Sequence, residues 1–468
     1  MSIKEVEYRD LHALIPGCDA AEKPPVITGD DYLCRIKALL ELARDRGLTH
    51  LVVYGDREHF ANLFYLTGYD PRFEEALLIL GHDKPPLLIV GNEGYEYANI
   101  SPLPMQKELF QSFSLVGQPR GKSKTLREIL AAAGVVRGSR VGLVGWKYFT
   151  AIETDQAEQR FEIPHYIAVE AVEAAGRNNV RAAADLMLHP EYGLRIRLDL
   201  KELVLHEMAG TKVSGKVLQA IAGLRPGMTE TEASSLMQLD GEPLAVHPNV
   251  NFGARNVLLG LASPDCERLE KGMAINLALG YRRALVARMG IFVADRAELP
   301  PDSRGVVEEL YMPYFNALAT WYESLAIGTT GGKVFEETKK ALGGFEKYGV
   351  GLNPGHLIQI EEWTNSIFYE GSQDRIVSGM AIQCDIIACP GPPYVGTHVE
   401  DGLLIADAPT RAALREQYPA TWRRIEARRK MMGDVLGIRL AEEVLPASNI
   451  QAVLFPYMAD TGRILARV

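Results

Sequence analysis

Two stretches near the C-terminal end decide the fold: residues 351–363, GLNPGHLIQIEEW, and residues 378–405, SGMAIQCDIIACPGPPYVGTHVEDGLLI. The first stretch places His356 directly after a glycine. The second carries Asp385 within an apolar run and Glu400 in an acidic pair. An imidazole and two carboxylates from separate strands can converge on a metal ion, a cation or a proton in transit. We therefore place the candidate functional site on these strands.

The bulk properties of the chain narrow its class. A length of 468 residues exceeds what one compact core usually serves, so we expect two domains. The net charge of -10 argues against a nucleic-acid partner, and no apolar run approaches the ~20 residues of a membrane span. The 5 cysteines are an odd number without C-x-x-C spacing. Such usage is typical of a reducing compartment, and we expect a cytoplasmic protein with free thiols.

Hydrophobic periodicity divides the chain into segments. Short apolar strands alternate with helices before residue 195, which predicts an α/β domain. Beyond it, a strand at 244–252 and a hairpin at 273–292 precede the candidate site. We assign the following segments: an irregular arm, 1–26; an α/β domain, 27–195; a domain that carries the site, 196–407; and a helical tail, 408–468. The main predicted helices span 30–46, 123–133, 153–161, 198–224, 304–325, 333–343 and 410–432.

Several motifs resemble one known family. Residues 65–80, YLTGYDPRFEEALLIL, resemble the N-terminal domain of creatinases and proline-specific aminopeptidases. AGLRPGMTETEA, NFGARN, LEKGM and the order PGH, SGM, VED resemble their C-terminal pita-bread domain. The resemblance covers roughly residues 30–406. It implies an α/β N-terminal domain followed by an α+β pita-bread C-terminal domain.

The resemblance extends to part of the family's metal site. Metallopeptidase members of the family bind two metals through five side chains. Three of these have counterparts here: His356 matches the histidine, Asp385 the first glutamate and Glu400 the second glutamate. His398 stands where the family usually has an arginine.

The other two ligands are missing. Ala278 occupies the first aspartate position, and Leu285 or Met289 the second, since residues 266–294 contain no Asp. The family's cleft histidine falls on Gly260. Two adjacent metal ions need several anionic oxygens to balance their charge, so the chain resembles a divergent member without a dinuclear centre.

These losses set the cofactor expectation. We expect no cofactor, because two of the five ligands are absent. The alternative is a single divalent metal, Zn or Mn, held by His356, Asp385 and Glu400, since three protein ligands plus water make a sufficient catalytic site.

Two further histidines are candidates for proton transfer or substrate contact. His398 lies two residues from Glu400, so in a strand both side chains share one face. We therefore group His356, Asp385, His398 and Glu400 as candidate catalytic residues, although His356 could instead bond a loop carbonyl. His247, before Pro248, is a candidate substrate contact at the cleft wall.

Other candidate contacts carry structural alternatives. Glu361, Glu362 and Trp363 could line a substrate pocket or pack at the end of a strand. For Asp385 the main structural alternative is an ion pair with Arg288 on the facing hairpin, since a buried carboxylate needs a partner.

Three functional hypotheses follow, in order of preference. The first is a metal-free, creatinase-like hydrolase that cleaves a C–N bond in a small cationic substrate: an amidine, guanidine, amide or Xaa-Pro-like molecule. Its carboxylates would hold the cation. The second is a mononuclear metallo-aminopeptidase or dipeptidase of the Xaa-Pro class. The third is a non-catalytic pita-bread module that binds a peptide or a small molecule.

The family resemblance also implies an assembly. Creatinase-like proteins are usually homodimers in which one N-terminal domain helps close the cleft of the other subunit. On that basis Tyr65 and Arg72 are candidate substrate contacts from a second copy.

Overall fold

The computed structural model describes residues 2–8 and 22–468. The chain forms two compact units, residues 26–196 and residues 197–468, with residues 1–25 assigned to the second. Within the described ranges, no helix combines the length and apolarity needed to cross a membrane. Four cysteines, Cys34, Cys266, Cys384 and Cys389, are free thiols, and Cys18 lies outside the described residues.

The first strand corrects part of the predicted arm. Ile3–Glu7 forms β1, which pairs antiparallel with Arg463–Arg467 near the other end of the chain. Its sequence, IKEVE, has the polar and apolar alternation of an edge strand. Residues 1–26 are therefore not irregular throughout, and residues 9–21 lie outside the description.

The unit of residues 26–196 is built on a mixed six-stranded sheet in the order β5-β4-β3-β2-β6-β7. Its strands are β2 His50–Gly55, β3 Ala76–Gly81, β4 Leu87–Val90, β5 Gln106–Leu109, β6 Val141–Val144 and β7 Val180–Ala182. Its α-helices are Gly29–Asp45, Ala61–Thr67, Gly94–Tyr97, Leu126–Ala133, His165–Ala175 and Asp185–Leu188. Parallel and antiparallel pairs coexist in the sheet, as an α/β domain with one hairpin requires.

One predicted helix of this unit does not form. Residues 153–161 contain only the 3₁₀ turn Ala157–Gln159, and most of their side chains are exposed. Helical spacing without a face to bury gives little stability, because tertiary packing supplies most of it. By contrast, Gly29–Asp45 begins at a capping box of Thr28 and Asp31 and buries Ile36 and Leu39.

The unit of residues 197–468 is built on a seven-stranded antiparallel sheet. The strand order is β11-β12-β13-β10-β9-β8, and β14 pairs with β13. These strands are β8 Leu244–Phe252, β9 Ala274–Tyr281, β10 Ala284–Ile291, β11 His356–Leu357, β12 Ala381–Gly391, β13 Val395–Ile405 and β14 Val444–Pro446; β15, Arg463–Arg467, is the partner of β1. The α-helices are Leu200–Gly223, Glu230–Ser235, Gly253–Leu259, Met312–Ser324, Gly331–Leu342, Ala408–Gln417 and Pro419–Asp434.

Two prolines explain where predicted helices of this unit are interrupted. The predicted helix 304–325 begins with a π-helical turn, Val307–Tyr311, before Met312–Ser324, since Pro313 has no N–H for the regular ladder. The predicted helix 410–432 is two helices divided at Tyr418, because the residue before Pro419 is disfavoured in the helical conformation.

Candidate active site

The register of the long antiparallel strands brings the candidate catalytic residues to one face. Asp385 on β12 pairs with Glu400 on β13, and Ile387 pairs with His398. Cross-strand partners share a face, and so do residues two apart along a strand. The predicted common face of His398 and Glu400 is therefore present, and Asp385 lies on it.

His356 joins this face from the short strand β11, where it pairs with Gln383 of β12. The preceding Gly355 has a φ of +134°, and a Cβ there would lie 2.7 Å from the Gln383 carbonyl oxygen. Only glycine tolerates both the backbone conformation and the close approach. The glycine-histidine pair in the sequence thus reflects how β11 reaches the sheet.

The side chains form an alternating row of carboxylates and imidazoles. His398 Nε2 lies 2.8 Å from Asp385 Oδ1 and 3.6 Å from Glu400 Oε2. His356 Nε2 lies 3.5 Å from Glu400 Oε1 and 3.0 Å from Glu362 Oε1. Glu400 therefore stands between two histidines, each of which has a second carboxylate. We call Glu362, His356, Glu400, His398 and Asp385 the His–carboxylate cluster.

Burial and charge shift the pKa values of the cluster in opposite directions. Burial, together with the neighbouring Asp385, raises the pKa of Glu400 to about 7. Burial would lower the pKa of His398, but its bond to Asp385 outweighs burial and raises it. For Asp385 the same bond lowers the pKa against the effect of burial. A carboxyl poised near neutrality beside a protonated imidazole is a base next to an acid.

His356 is held more firmly in its charged form. Burial favours the neutral ring, but Glu362 and Glu400 outweigh it and raise the pKa of His356 to about 10. The Trp363 ring stacks on this imidazole at 4.2 Å between centroids. Nε2 nevertheless lies outside hydrogen-bond geometry with either carboxylate, so this buried nitrogen has no acceptor in line.

Gln383 orients the central carboxylate. Its Nε2 donates to Glu400 Oε1 at 3.2 Å and to the Leu285 carbonyl at 2.8 Å. The second bond fixes the amide to a backbone carbonyl of β10, so Glu400 is held by a partner that does not titrate.

The proposed ion pair between Asp385 and Arg288 is wrong. Arg288 Nη2 binds both oxygens of Asp401, at 2.8 and 3.0 Å, on the opposite face of the sheet. Arg288 pairs with Val399, and Val399 with Ile386, so side-chain alternation directs Arg288 away from Asp385. His398 is the partner of Asp385 instead.

The next two strands of the sheet, β10 and β9, lack acidic residues, as the sequence indicates. Glu400 pairs with Ala287 on β10, and Ala287 pairs with Ala278 on β9. Met289, which pairs with His398, also lies on this face, as does Leu285. The register thus leaves short or apolar side chains where the family resemblance implies two aspartates.

The remaining candidates lie at varied places. His247 is exposed on β8, away from the cluster rows, while Glu361 follows the buried Gln359 in the loop that carries Glu362 and Trp363. Tyr65 and Arg72 belong to the unit of residues 26–196. Tyr65 is buried beneath the Arg35 guanidinium, and Arg72 is an exposed residue 3.7 Å from Asp70.

Sequence reasoning missed two features of this face. Glu362 is a direct partner of His356, although the sequence indicated only a pocket or packing role. Asn249, Asn251 and Asn276 are buried on the strands opposite the cluster. The alternation N-x-N in residues 249–251 and the lone Asn276 in an apolar strand were the available signals.

The donor set fits one divalent metal in either of two places. Asp385, His398 and Glu400 form one group, and His356, Glu362 and Glu400 form another; within each, the ligand atoms lie within 4.8 Å of one another. His356 Nε2 has no hydrogen-bond acceptor in line among the described residues, which is compatible with such binding. The predicted mononuclear set of His356, Asp385 and Glu400 matches neither group, because His356 and Asp385 lie on opposite sides of Glu400.

Comparison with known proteins gives the fold a family context. Residues 35–169 match the family profile of the Creatinase/Prolidase N-terminal domain. A prolidase from Pyrococcus horikoshii is 19% identical, with a TM-score of 0.61 over 80% of this chain and 95% of that one. An Xaa-Pro dipeptidase from Bacillus anthracis is 15% identical, with a TM-score of 0.61 over 81% and 96%. The dipeptidase PepE from Mycobacterium ulcerans is 16% identical, with a TM-score of 0.63 over 82% and 95%.

No curated protein matches the sequence. The family match and the structural likeness nevertheless cover both units, and the resemblance predicted from the motifs is confirmed. Residues 35–169 match the Creatinase/Prolidase N-terminal domain, and the chain has the two-domain, pita-bread-like fold of these solved prolidases and dipeptidases.

Proposed function

We propose that this chain is a hydrolase that cleaves a C–N bond in a small nitrogen-containing substrate without a dinuclear metal centre. The observation that carries the proposal is His398 seated between Asp385, at 2.8 Å, and Glu400, at 3.6 Å. A histidine bonded to one buried carboxylate and next to a second is an arrangement for proton transfer. It supplies an imidazole in a chain that has Gly260 where the family resemblance places a cleft histidine.

The cluster assigns complementary roles to its members. Glu400, with its pKa raised to about 7, removes a proton from the attacking water as that oxygen bonds to the substrate carbon. His398, whose pKa is raised by its bond to Asp385, donates a proton to the nitrogen as the C–N bond breaks. Asp385 orients the imidazole and stabilises its charge, and Gln383 orients Glu400. In this scheme Glu400 starts deprotonated and accepts a proton from the water, and His398 starts protonated and gives a proton to the leaving nitrogen.

The carboxylates of the cluster support a substrate with a cationic group. We propose an amidine, guanidine, amide or Xaa-Pro-like molecule with a cationic group. The names of the similar structures, prolidase and Xaa-Pro dipeptidase, support a short peptide within this class. Glu361, Glu362, Trp363 and His247 remain proposed substrate contacts. We also propose a cytoplasmic homodimer in which Arg72 contributes to the site of the second copy, whereas Tyr65, buried within its own unit, does not.

A single Zn or Mn is the second candidate, favoured by the two ligand groups that share Glu400. Such an ion would be held by Asp385, His398 and Glu400 or by His356, Glu362 and Glu400. When bound, it would lower the pKa of a water molecule and polarise a carbonyl. In that case Gln383 would still orient Glu400, and Trp363 would still cover His356.

A substrate screen combined with a matched pair of variants tests the proposal. Purified protein is assayed against Xaa-Pro dipeptides, amides, amidines and guanidines, with its metal content measured alongside. We expect H398Q to lower kcat about 10²- to 10⁴-fold. H165Q makes the same chemical change at an exposed histidine and should leave kcat unchanged. No turnover by folded protein across the screen would instead favour a non-catalytic binding module, and an active H398Q would remove His398 from the mechanism.

A further inference from the structure

Three buried asparagines lie on β8 and β9, at the other end of the sheet from the His–carboxylate cluster. Each has a side-chain oxygen that accepts no hydrogen bond within the described ranges. Asn249 and Asn276 are 4% exposed and Asn251 is 0% exposed. The Oδ1 atom of each is enclosed and has no hydrogen-bond partner among the described residues. A buried acceptor without a donor costs about 1–3 kcal/mol, so three together call for an explanation.

The sheet register places all three on the face of the cluster. Asn251 pairs with Asn276, Asn276 with Met289, and Met289 with His398, which makes one continuous cross-strand row. Asn249 pairs with Ala278, in the row that leads through Ala287 to Glu400. Since strands lie ~4.8 Å apart, Asn276 is about 10 Å from His398 along its row.

The side chains between the two ends are small in one of these rows. Ala278 and Ala287 lie between Asn249 and Glu400 and leave little bulk above the sheet. This face therefore has ionisable side chains on β12 and β13, two alanines in the middle of one row, and amide side chains on β8 and β9.

The orientation of one amide at this end is fixed by a hydrogen bond. Asn251 Nδ2 donates to the Ala262 carbonyl at 3.1 Å, which fixes Oδ1 as the atom left over. Amide oxygens are neutral acceptors and bind N–H donors, most strongly when the donor is cationic. At the ionisable end, by contrast, His398 already compensates Asp385 and stands beside Glu400.

We propose that Asn249, Asn251 and Asn276 form a subsite for a substrate group with several N–H donors, an ammonium or guanidinium, about 10 to 14 Å from the reacting bond along the sheet. This inference rests on the proposed function and deepens it. The cation of the substrate is held by amide oxygens, and the carboxylates of the cluster are left for proton transfer. The substrate is then an elongated molecule with its cationic group at one end and its scissile C–N bond at the other.

Probe binding tests the subsite independently of turnover. Methylguanidinium and methylammonium carry N–H donors, and tetramethylammonium is a cation without any. Saturable binding to the full chain in the presence of EDTA is measured by calorimetry and by ligand-observed NMR. We expect the first two probes to bind and tetramethylammonium not to bind. Equal binding of all three, or none, would overturn the subsite.

Variants locate the binding. N276L, nearly isosteric but without an acceptor, should weaken methylguanidinium binding about tenfold or more. N276D adds a charge at the same place and should tighten binding, a gain that misfolding cannot mimic. E400Q should bind the probe as the wild type does, because Glu400 belongs to the other end of the face. Loss of binding in E400Q with no change in N276L and N276D would assign the cation to the cluster and contradict the subsite.

A crystal of the full chain soaked with methylguanidinium gives the remaining readout. Density for the probe at the three Oδ1 atoms supports the subsite, and ordered water alone at these atoms in saturated crystals overturns it. The two proposals fail separately: probe binding that depends on Asn276 without turnover defeats only the hydrolase, and turnover that depends on His398 but not on Asn276 defeats only the subsite.

Discussion

The unit of residues 197–468 contains two clusters of buried charge that differ in the base beside their carboxylates. In one, Glu207 of the helix Leu200–Gly223 binds Arg424 and Arg428 of the helix Pro419–Asp434, each at 2.5 Å. In the other, carboxylates alternate with His356 and His398. Guanidinium stays charged at all relevant pH values, whereas imidazole titrates near neutrality. Burial of charge alone therefore does not mark a site; the titratable partner does.

The arginine cluster is fixed in one charge state. Burial opposes ionisation of Glu207, but the two guanidinium groups outweigh it and lower its pKa. The Thr211 hydroxyl also donates to Glu207 Oε1 at 3.0 Å. We interpret this cluster as a structural ion-pair network that links the two helices. The His–carboxylate cluster, by contrast, holds Glu400 near its midpoint of ionisation and leaves His356 Nε2 without an in-line acceptor.

The largest effect is expected from breaking the arginine cluster. E207Q removes the carboxylate between two buried guanidinium groups and should lower the free energy of unfolding by about 3–5 kcal/mol. Urea denaturation at pH 7 measures the change. As a control, E426Q alters a glutamate that is 55% exposed and 3.8 Å from Arg415, and it should cost less than about 0.5 kcal/mol. Similar costs for the two variants would contradict the structural role of Glu207.

Alternation along the strands was enough to predict part of the site. His398 and Glu400 lie two residues apart in one strand, so their common face needed no tertiary information. The motif resemblance added His356 and Asp385. The loss of acids was equally visible, because residues 266–294 contain no Asp whatever register is chosen.

What could not be predicted depended on register and on loops. The partner of Arg288 changed from Asp385 to Asp401 once Arg288 was known to pair with Val399. Glu362 reaches His356 through a loop, which no periodicity describes. The asparagines of β8 were missed because the pairing of that strand shifts between Val246 and Asn249, so its sequence alone does not give its orientation.

A second prediction uses the pH dependence of the unfolding free energy to distinguish the two clusters. The pKa of His356 is raised to about 10 in the folded protein, against ~6.5 when unfolded. Its contribution to stability is therefore complete below pH ~6.5 and is lost as pH rises towards 10. The difference in unfolding free energy between wild type and H356Q should shrink by about 4 kcal/mol over that range.

The arginine cluster supplies the reference for this experiment. Because the pKa of Glu207 is lowered, its contribution is present above the unfolded value and is lost only in acid. The difference between wild type and E207Q should stay constant between pH ~6.5 and 10. A flat profile for H356Q, like that of E207Q, would show that His356 is not held charged by Glu362 and Glu400.

The pH dependence of catalysis gives a smaller effect on the same contrast. Glu400 must be ionised to act as a base, so kcat/KM should fall about tenfold per pH unit below pH ~7. His398 must be protonated, and its raised pKa sets an alkaline limb above pH ~6.5. Initial rates from pH 5 to 10, with circular dichroism to confirm folding, measure the profile. An acid limb near the ordinary glutamate value would remove Glu400 as the base.

The smallest expected effect is that of metal. The neighbouring carboxylates raise the pKa of both imidazoles of the cluster, so a metal ion must compete with protons to bind. We expect chelator-treated enzyme to keep its activity within about twofold after addition of Zn²⁺ or Mn²⁺. A rise of about tenfold or more with one equivalent bound would favour the mononuclear alternative.

The histidine variants would then locate the ion. H398Q should lower the affinity for the metal if Asp385 is a ligand, and H356Q should lower it if Glu362 is a ligand. The arginine cluster offers no such site, because its guanidinium groups cannot give up a proton to a metal.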